Sequence, residues 1–170
     1  NKENPGAIQN AERLVKGGLR QAAATHTNLG KQYLVAATQA PSDKEQLDDL
    51  TRAAAEYRLA ALGWQGYLKQ DENAPDAYDS RFWLADARNK TLRIKTILHQ
   101  KKKDQFPSPT DTEIDEAKVA AIDVRDSNED DKYLDVAAQF VVEESDVARD
   151  IAYQLYDDSR GTQGVQKRTE

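Results

Sequence analysis

The fold is decided by residues 53–87, AAAEYRLAALGWQGYLKQDENAPDAYDSRFWLADA, in which two helix-forming runs flank a short break at Pro75. Apolar and aromatic residues recur in each run at steps of three and four, as in Tyr57, Ala61 and Trp64. That spacing is typical of a helix with one buried face. Two such runs joined by a short break predict a pair of helices packed against each other.

The same pattern continues on both sides of this stretch, and prolines mark the places where it stops. Proline ends a helix because it lacks the backbone donor and clashes with the preceding turn. No segment alternates with a period of two, so no strand is predicted. The sequence therefore predicts an all-α fold with five long helices, near 5–40, 43–72, 76–103, 114–127 and 134–160, followed by a frayed polar tail at 161–170.

The first helix carries the longest apolar seam and also an interruption. The seam contains Ile8, Ala11, Val15, Leu19, Ala22, His26, Leu29, Tyr33 and Ala36. Gly17 and Gly18 interrupt it, and a glycine in a helix interior costs about 1 kcal/mol. We expect either a kink at this pair or a neighbouring backbone packed closely against it.

Composition limits the classes of protein to which the chain can belong. Hydrophobic residues make up 38% of its 170 residues, and the net charge of −6 disfavours nucleic acid as a partner. The lack of cysteine excludes disulfides, thiolate metal sites and cysteine catalysis. No apolar run approaches the roughly 20 residues of a membrane span, so we expect no membrane insertion. Methionine is absent even at the first position, so we expect a piece of a longer chain.

A recurring spacing relates the helices to one another. The first, third and fifth helices carry Leu19-x-x-Ala22-Ala23-x-x-His26, Arg81-x-x-Leu84-Ala85-x-x-Arg88 and Leu134-x-x-Ala137-Ala138-x-x-Val141. The second and fourth helices carry Ala60-x-x-x-Trp64-x-x-Tyr67 and Ala117-x-x-x-Ala121-x-x-Val124. This pattern resembles the tetratricopeptide repeat, in which small residues lie where helices approach each other and large ones fill the adjacent hollow. We therefore expect Ala85 and Ala138 at close helix contacts.

The resemblance implies antiparallel helix pairs stacked as a right-handed solenoid. A standard repeat has about 34 residues, whereas the spacing here implies elongated helices in units of about 5–72, 73–128 and 129–160. Arg81 and Arg88 also stand where the repeat usually has apolar residues. A long bundle of four or five helices fits the same seams and is the alternative fold.

A finer resemblance concerns the cellular setting. The elongated pairs, the start without methionine and residues 124–134, VRDSNEDDKYL, are similar to large repeat proteins of the bacterial cell envelope, of the gliding-motility type. This similarity implies the periplasm and cell envelope as the location, near the outer membrane. The cytoplasm is the alternative.

The sequence contains no arrangement that predicts catalysis. It lacks His-Glu-x-x-His, Gly-x-Ser-x-Gly and a glycine-rich phosphate loop. We expect His26 to be a packed core residue, and His99 lies in the last turns of a helix. Residues 126–130 begin like a calcium loop but lack its glycine and its closing acid. We expect neither an enzyme nor a bound cofactor or metal.

Charge is unevenly distributed along the chain. The third helix is rich in basic residues, whereas acids outnumber bases between residues 111 and 158. Two interpretations stay open at this point. The basic helix either pairs with acidic helices of its own chain or receives an acidic segment of a partner.

The resemblance further implies a binding site for other proteins or peptides. Repeats of this family present the inner face of the first helix of each pair, which here implies Arg20, Ala24, Thr27, Asp79, Phe82, Asp86, Asn89, Lys90, Arg93, Lys132, Asp135, Gln139 and Val142. An aromatic ring among amide and charged groups suits peptide recognition. One alternative is that Phe82 belongs to the core and the other residues form a solvated face. The other is that the chain is a structural spacer that packs on copies of itself or on adjoining repeats.

Overall fold

The structure, a computed structural model, describes the backbone of residues 4–127 and 131–166, and the side chains of 4–127, 132–153 and 156. The described backbone forms five α-helices and one short 3-10 turn, Asp131–Tyr133, with no strand. The helices are α1 Pro5–Gln39, α2 Asp43–Gln70, α3 Ala77–Lys101, α4 Asp111–Asp126 and α5 Leu134–Gln166. The all-α prediction is confirmed for these residues.

Polar side chains cap the N-termini of α1 and α4. The Asn4 side chain accepts a hydrogen bond from the Gly6 backbone nitrogen at 3.1 Å, next to a proline in the first turn of α1. Before α4, the Thr110 hydroxyl accepts from the backbone of Glu113, whose carboxylate accepts in return from the Thr110 backbone. These caps satisfy backbone donors that a helix N-terminus leaves unpaired.

Helices α1 and α2 form an antiparallel pair. Gln46 near the start of α2 donates to the Ala37 carbonyl near the end of α1, at 3.2 Å. An ion pair between Lys16 and Asp71 joins the opposite ends. Between them, the Trp64 indole donates to the Thr27 hydroxyl at 3.3 Å, within the buried seam of the pair.

Each later helix packs on the one before it, and α3 contacts α5 as well. Arg81 near the start of α3 pairs with Asp123 near the end of α4, and the α4–α5 contact is also antiparallel, with Ile114 near Ile151. Helices α3 and α5 run parallel, because Asp79 pairs with Lys132 and, further along both helices, Asn89 donates to Glu144. Helix α3 is therefore the centre of the molecule.

The buried face of α1 differs from the predicted seam. Ala23, Thr27, Gly30 and Ala37 are buried, whereas Ile8 and Val15 of the predicted seam are 44% and 54% exposed. The reason is that α2 ends at Gln70, opposite Lys16, so that about three turns of α1 extend beyond it. A short partner leaves the N-terminal part of the seam without cover.

The glycine pair on α1 does not mark a close contact within the described chain. A Cβ atom built on Gly17 or Gly18 would meet no atom within 4 Å, and α1 runs as one helix through both positions. The close contact occurs elsewhere, where a Cβ atom on Gly63 would lie 2.8 Å from the Ala23 Cβ. The expectation of a neighbouring backbone at the pair is therefore wrong for the described residues.

The repeat spacing places buried residues correctly on α2 and α4, but some of its positions are exposed on the other helices, namely Ala22 on α1 and Leu134 and Ala138 on α5. Ala23 and Ala85 are fully buried, and so are the patterned positions of α2 and α4. Ala138 is exposed, and its neighbour Ala137 is buried instead. The prediction for Ala138 is wrong by one residue, because residues 137, 140 and 144 are the ones that α5 buries against α3 and α4.

Helix α5 is also longer than the sequence predicts. Its backbone continues as helix to Gln166, past the expected end at Arg160. The prediction of a frayed tail is therefore wrong for residues 161–166, whose backbone is helical. Residues 167–170 lie outside the described part of the chain.

Candidate functional site

Four of the residues predicted to line a partner-binding face are buried within the chain. Phe82 is 9% exposed, stacks on the Tyr133 ring at a centroid distance of 3.8 Å and lies 6.3 Å from the Phe140 ring. These contacts place Phe82 in the core between α3 and α5, which is the alternative that the sequence left open. It offers no exposed ring to a peptide.

The other three buried residues are polar and have partners inside the protein. The Thr27 hydroxyl donates to the Ala23 carbonyl at 2.9 Å and accepts from Trp64. The carboxylate of Asp86 accepts from Lys90 of the same helix at 2.6 Å, and Asn89 donates to Glu144 at 3.4 Å. Buried polar groups need such partners, so these side chains have a structural explanation.

The remaining predicted residues are more exposed, and several of them form ion pairs with other parts of the chain. Arg20 pairs with Asp76 at 3.1 Å, Asp79 with Lys132 at 2.9 Å, and Arg93 with Glu143 at 3.3 Å. Asp135, Gln139 and Val142 of α5 are exposed, and Ala24 of α1 is half-buried. The structure thus places the predicted face partly in the core and partly in ion pairs between helices.

The basic residues of α3 are neutralised largely within the chain. Arg88 pairs with Glu116 at 3.5 Å and Lys95 with Glu113 at 2.6 Å, both on α4. Although burial opposes it, hydrogen bonds from Lys95 and from Thr110 hold the pKa of Glu113 below its usual value. The first of the two interpretations of the charge pattern is the one that these contacts favour.

A groove over α3, between α2 and α4, is the strongest candidate site. It encloses about 230 Å³ and is lined by Arg58, Ala61, Leu62, Gln65, Arg88, Thr91, Leu92, Lys95, Glu113 and Glu116. Its apolar surface comes from Ala61, Leu62 and Leu92. Leu62 is 54% exposed although it lies against the centre of the molecule. Exposed apolar side chains are common in this chain, so it is the concave surface that Leu62 shares with Ala61 and Leu92 that suggests a binding role.

The electrostatics of the groove leave one cation without a partner among the described residues. Arg88 and Lys95 lie at its rim, each held by a carboxylate of α4. Arg58 is exposed on the α2 side and has no hydrogen bond or ion pair within the described part of the chain. The groove therefore combines an apolar floor with one guanidinium that is free to bind a carboxylate.

The sequence carries a signal for this groove that the repeat pattern conceals. Leu59 and Leu62 of α2 lie off the seam of Tyr57, Ala60 and Trp64, and both are exposed, although only Leu62 lines the groove. Two leucines on the second face of a helix, next to an arginine, indicate a second contact surface. The position of α4 relative to that face could not be read from the sequence.

A buried carboxyl group lies where α5 meets α3, and it does not line the groove. Glu144 is fully buried, its Oε1 atom accepts one long hydrogen bond from Asn89 at 3.4 Å, and its Oε2 atom has no partner among the described residues. Burial, and to a lesser degree the neighbouring Glu143, raises the pKa of Glu144 to about 7. In the sequence Glu144 belongs to an acidic pair, Glu143-Glu144, on a polar stretch where no buried carboxyl is expected, and that expectation is wrong for Glu144.

The two histidines contact different partners in different parts of the fold. His26, expected in the core, is half-buried, and its Nδ1 atom lies 2.6 Å from a carboxylate oxygen of Glu56. His99 donates from Nδ1 to the Phe106 carbonyl at 2.7 Å. Among the described residues, no three His, Cys, Asp or Glu side chains are grouped so that they could hold a metal ion. Part of the calcium-loop-like segment, residues 128–130, lies outside them.

No helix in the described ranges has a stretch apolar enough, over sufficient length, to cross a membrane. Comparison of the chain with models of protein families, with curated proteins and with solved structures found no match.

Proposed function

We propose that this chain is a non-catalytic scaffold module of the tetratricopeptide type, which binds partner proteins within a larger assembly. The consecutive antiparallel contacts, the parallel course of α3 and α5, and the burial of Ala23, Ala85 and Ala117 support a stack of helix pairs. The elongated, right-handed solenoid that we propose follows from the resemblance to the repeat. The resemblance to envelope repeat proteins makes the periplasm and cell envelope the location we propose, with the cytoplasm as the alternative.

The observation that carries the binding function is the groove between α2 and α4. Small-molecule sites usually enclose about 300–1,000 Å³, whereas this groove encloses about 230 Å³ and is open along one side of α3. Its size suits one or two side chains of a peptide better than a cofactor. Leu62 and Leu92 would contact an aliphatic side chain, and Arg58 would bind a carboxylate beside it. The ligand we propose is a short segment that combines an aliphatic residue with an acidic one.

Selection from a displayed peptide library, followed by fluorescence anisotropy with the enriched peptide, tests this function. We expect enrichment of aliphatic-acidic sequences, and binding that weakens by about tenfold or more in R58E and in L62E. R13E is the matched control, because Arg13 is an exposed arginine of α1 away from the groove. A library that yields no binder, or binders that the groove variants retain as well as R13E does, would show that the groove is not the site.

A further inference from the structure

The groove over α3 continues beyond the cavity that Leu62 lines. A second cavity of about 280 Å³ lies further along it, between the same three helices, and is lined by Gln65, Leu68, Lys69, Glu72, Arg81, Leu84 and Asp123. Gln65 lines both cavities, so that they form one continuous groove. Its floor extends on α3 from Arg81 to Lys95, a length of about 21 Å at about 1.5 Å per residue.

Each cavity contains one leucine of α2 and one leucine of α3. Leu62 and Leu92 line the first cavity, and Leu68 and Leu84 line the second. The two leucines of α2 are six residues apart, which is about 9 Å along the helix, and those of α3 are eight residues apart, about 12 Å. A ligand that fills both cavities therefore presents two apolar side chains on one face, separated by about 9–12 Å.

This separation favours one backbone conformation of the ligand. In an α-helix, residues seven apart lie on the same face and about 10.5 Å from each other. In an extended strand, residues two or four apart share a face but are separated by about 7 or 13 Å. A polyproline helix places residues three apart at about 9 Å, but such ligands dock in grooves lined by aromatic residues. The described residues that line the two cavities include no aromatic one.

The charges of the groove are arranged differently on its two sides. On the α2 side, Lys69 is exposed and, like Arg58, has no hydrogen bond or ion pair within the described ranges. These two cations are eleven residues apart, which places them on the same face of α2, separated by about 16 Å. The exposed Glu72 lies beyond Lys69, after the end of α2. On the other side, the acids of α4 are paired with bases of α3: Asp123 with Arg81, Glu116 with Arg88 and Glu113 with Lys95.

We propose that the groove receives an amphipathic α-helix of a partner protein, about four turns long, with two aliphatic residues seven positions apart and acidic residues on the flank that faces α2. This inference rests on the proposed binding function and specifies its ligand. The two aliphatic side chains occupy the two cavities, and the acids lie beside Arg58 and Lys69. The opposite flank of the ligand faces the paired charges of α4 and needs no charge of its own.

Binding of designed peptides, measured by fluorescence anisotropy, tests the conformation of the ligand. The probe is a labelled peptide of about 16 residues, built on alanine and glutamine, with two leucines seven positions apart and two glutamates on one flank. A matched peptide of the same composition has its leucines nine positions apart, on opposite sides of the helix, and should bind at least about tenfold more weakly. Proline placed halfway between the leucines of the probe should weaken binding by about 100-fold, because it breaks the helix.

A pair of lysine variants tests whether the second cavity takes part. K69E, at an exposed position, should weaken binding of the probe by about fivefold to tenfold, and lysine in place of the facing glutamate of the peptide should restore most of this loss. K44E is the matched control and should bind like the parent, because Lys44 is an exposed lysine of α2 that lines neither cavity.

The possible results distinguish this inference from the proposed function. Peptides from the displayed library that depend on Arg58 and Leu62, yet bind K69E as well as K44E or tolerate the proline, would keep the groove as the site and overturn the helical ligand. If neither the probe nor any library peptide binds, both proposals are wrong. Self-association of the chain that K69E abolishes, with no uptake of peptide, would make a second copy the occupant and overturn the partner helix.

Discussion

Gly63 on α2 lies so close to Ala23 on α1 that a methyl group added to the glycine would stand 2.8 Å from the Ala23 Cβ and 3.1 Å from its Cα. Of the glycines in α1 and α2, Gly63 lies closest to a residue of another helix, and the contact is in the middle of the antiparallel pair. The atom that would be met first belongs to a methyl group fixed on the backbone, which cannot rotate away.

Replacement of Gly63 by alanine is therefore expected to destabilise the protein. Alanine favours the helix by about 1 kcal/mol over glycine, but overpacking of a tight contact costs about 1–3 kcal/mol, and the net change should be a loss. G17A is the matched control: with nothing within 4 Å of its Cβ, it should gain about 1 kcal/mol. Thermal unfolding followed by circular dichroism measures both. Equal shifts in the same direction would mean that α1 and α2 do not meet at Gly63.

A second pair of variants tests the register of α5. Ala85 is fully buried beside α4, and replacement by leucine should cost about 1–3 kcal/mol of unfolding free energy. Ala138, which the repeat spacing pairs with it, is exposed, so A138L should change the stability by less than about 0.5 kcal/mol. Urea unfolding distinguishes the two. A large loss in A138L would restore the register of the repeat and count against the burial of Ala137.

The sequence predicts the helices well because the signals for them are local. Proline at 41, 75 and 107 ends each run, and spacing at three and four identifies Tyr57 and Trp64 as buried residues. The length of overlap between two helices is not local. Nothing within α1 indicates that α2 would end opposite Lys16, so the predicted seam included Ile8 and Val15, which the fold leaves exposed.

The predicted binding face was partly wrong, and the groove was not predicted, for a related reason. Asn89 and Asp86 are polar residues on a helix that the sequence shows to be basic, and a solvated face was a natural interpretation. Asn89 is buried because α5 lies along α3, and that contact depends on side chains about 55 residues apart, as in the Asn89–Glu144 hydrogen bond, whereas Asp86 lies near Tyr57 of α2. A pattern read along one helix does not contain this information. The groove at Arg58 and Leu62 likewise exists only when α2, α3 and α4 are assembled.

The ion pairs between α3 and α4 give a third prediction. K95E replaces the 2.6 Å pair with Glu113 by two neighbouring carboxylates and should cost about 1 kcal/mol, since both side chains are partly exposed. The double variant K95E/E113K restores opposite charges and should recover part of that loss, although the lysine so introduced cannot cap α4 as Glu113 does. Chemical unfolding of K95E, E113K and the double variant gives the coupling free energy between positions 95 and 113. Additive losses would show that the basic helix is not neutralised by α4.

The buried carboxyl of Glu144 gives a prediction about pH. Burial raises its pKa in the folded protein to about 7, above the ordinary value of 4.5 that it keeps in the unfolded chain. Between these values the folded state retains a proton that the unfolded state has released. The free energy of unfolding should therefore fall as the pH rises from about 4.5 to 7 and change little above that, with a total contribution of roughly 3 kcal/mol at most.

Glutamine at position 144 tests this directly, because it has nearly the shape of the protonated acid and does not titrate. E144Q should resemble the parent near pH 5 and become more stable than the parent as the pH approaches 8. D135N, at an exposed acid of the same helix, is the control and should differ from the parent by the same small amount at both values. Unfolding by urea at pH 5, 6, 7 and 8 measures the difference. If the gap between E144Q and the parent is constant across this range, Glu144 does not hold a proton in the folded protein, and its environment is wetter than the contacts of α3 and α5 indicate.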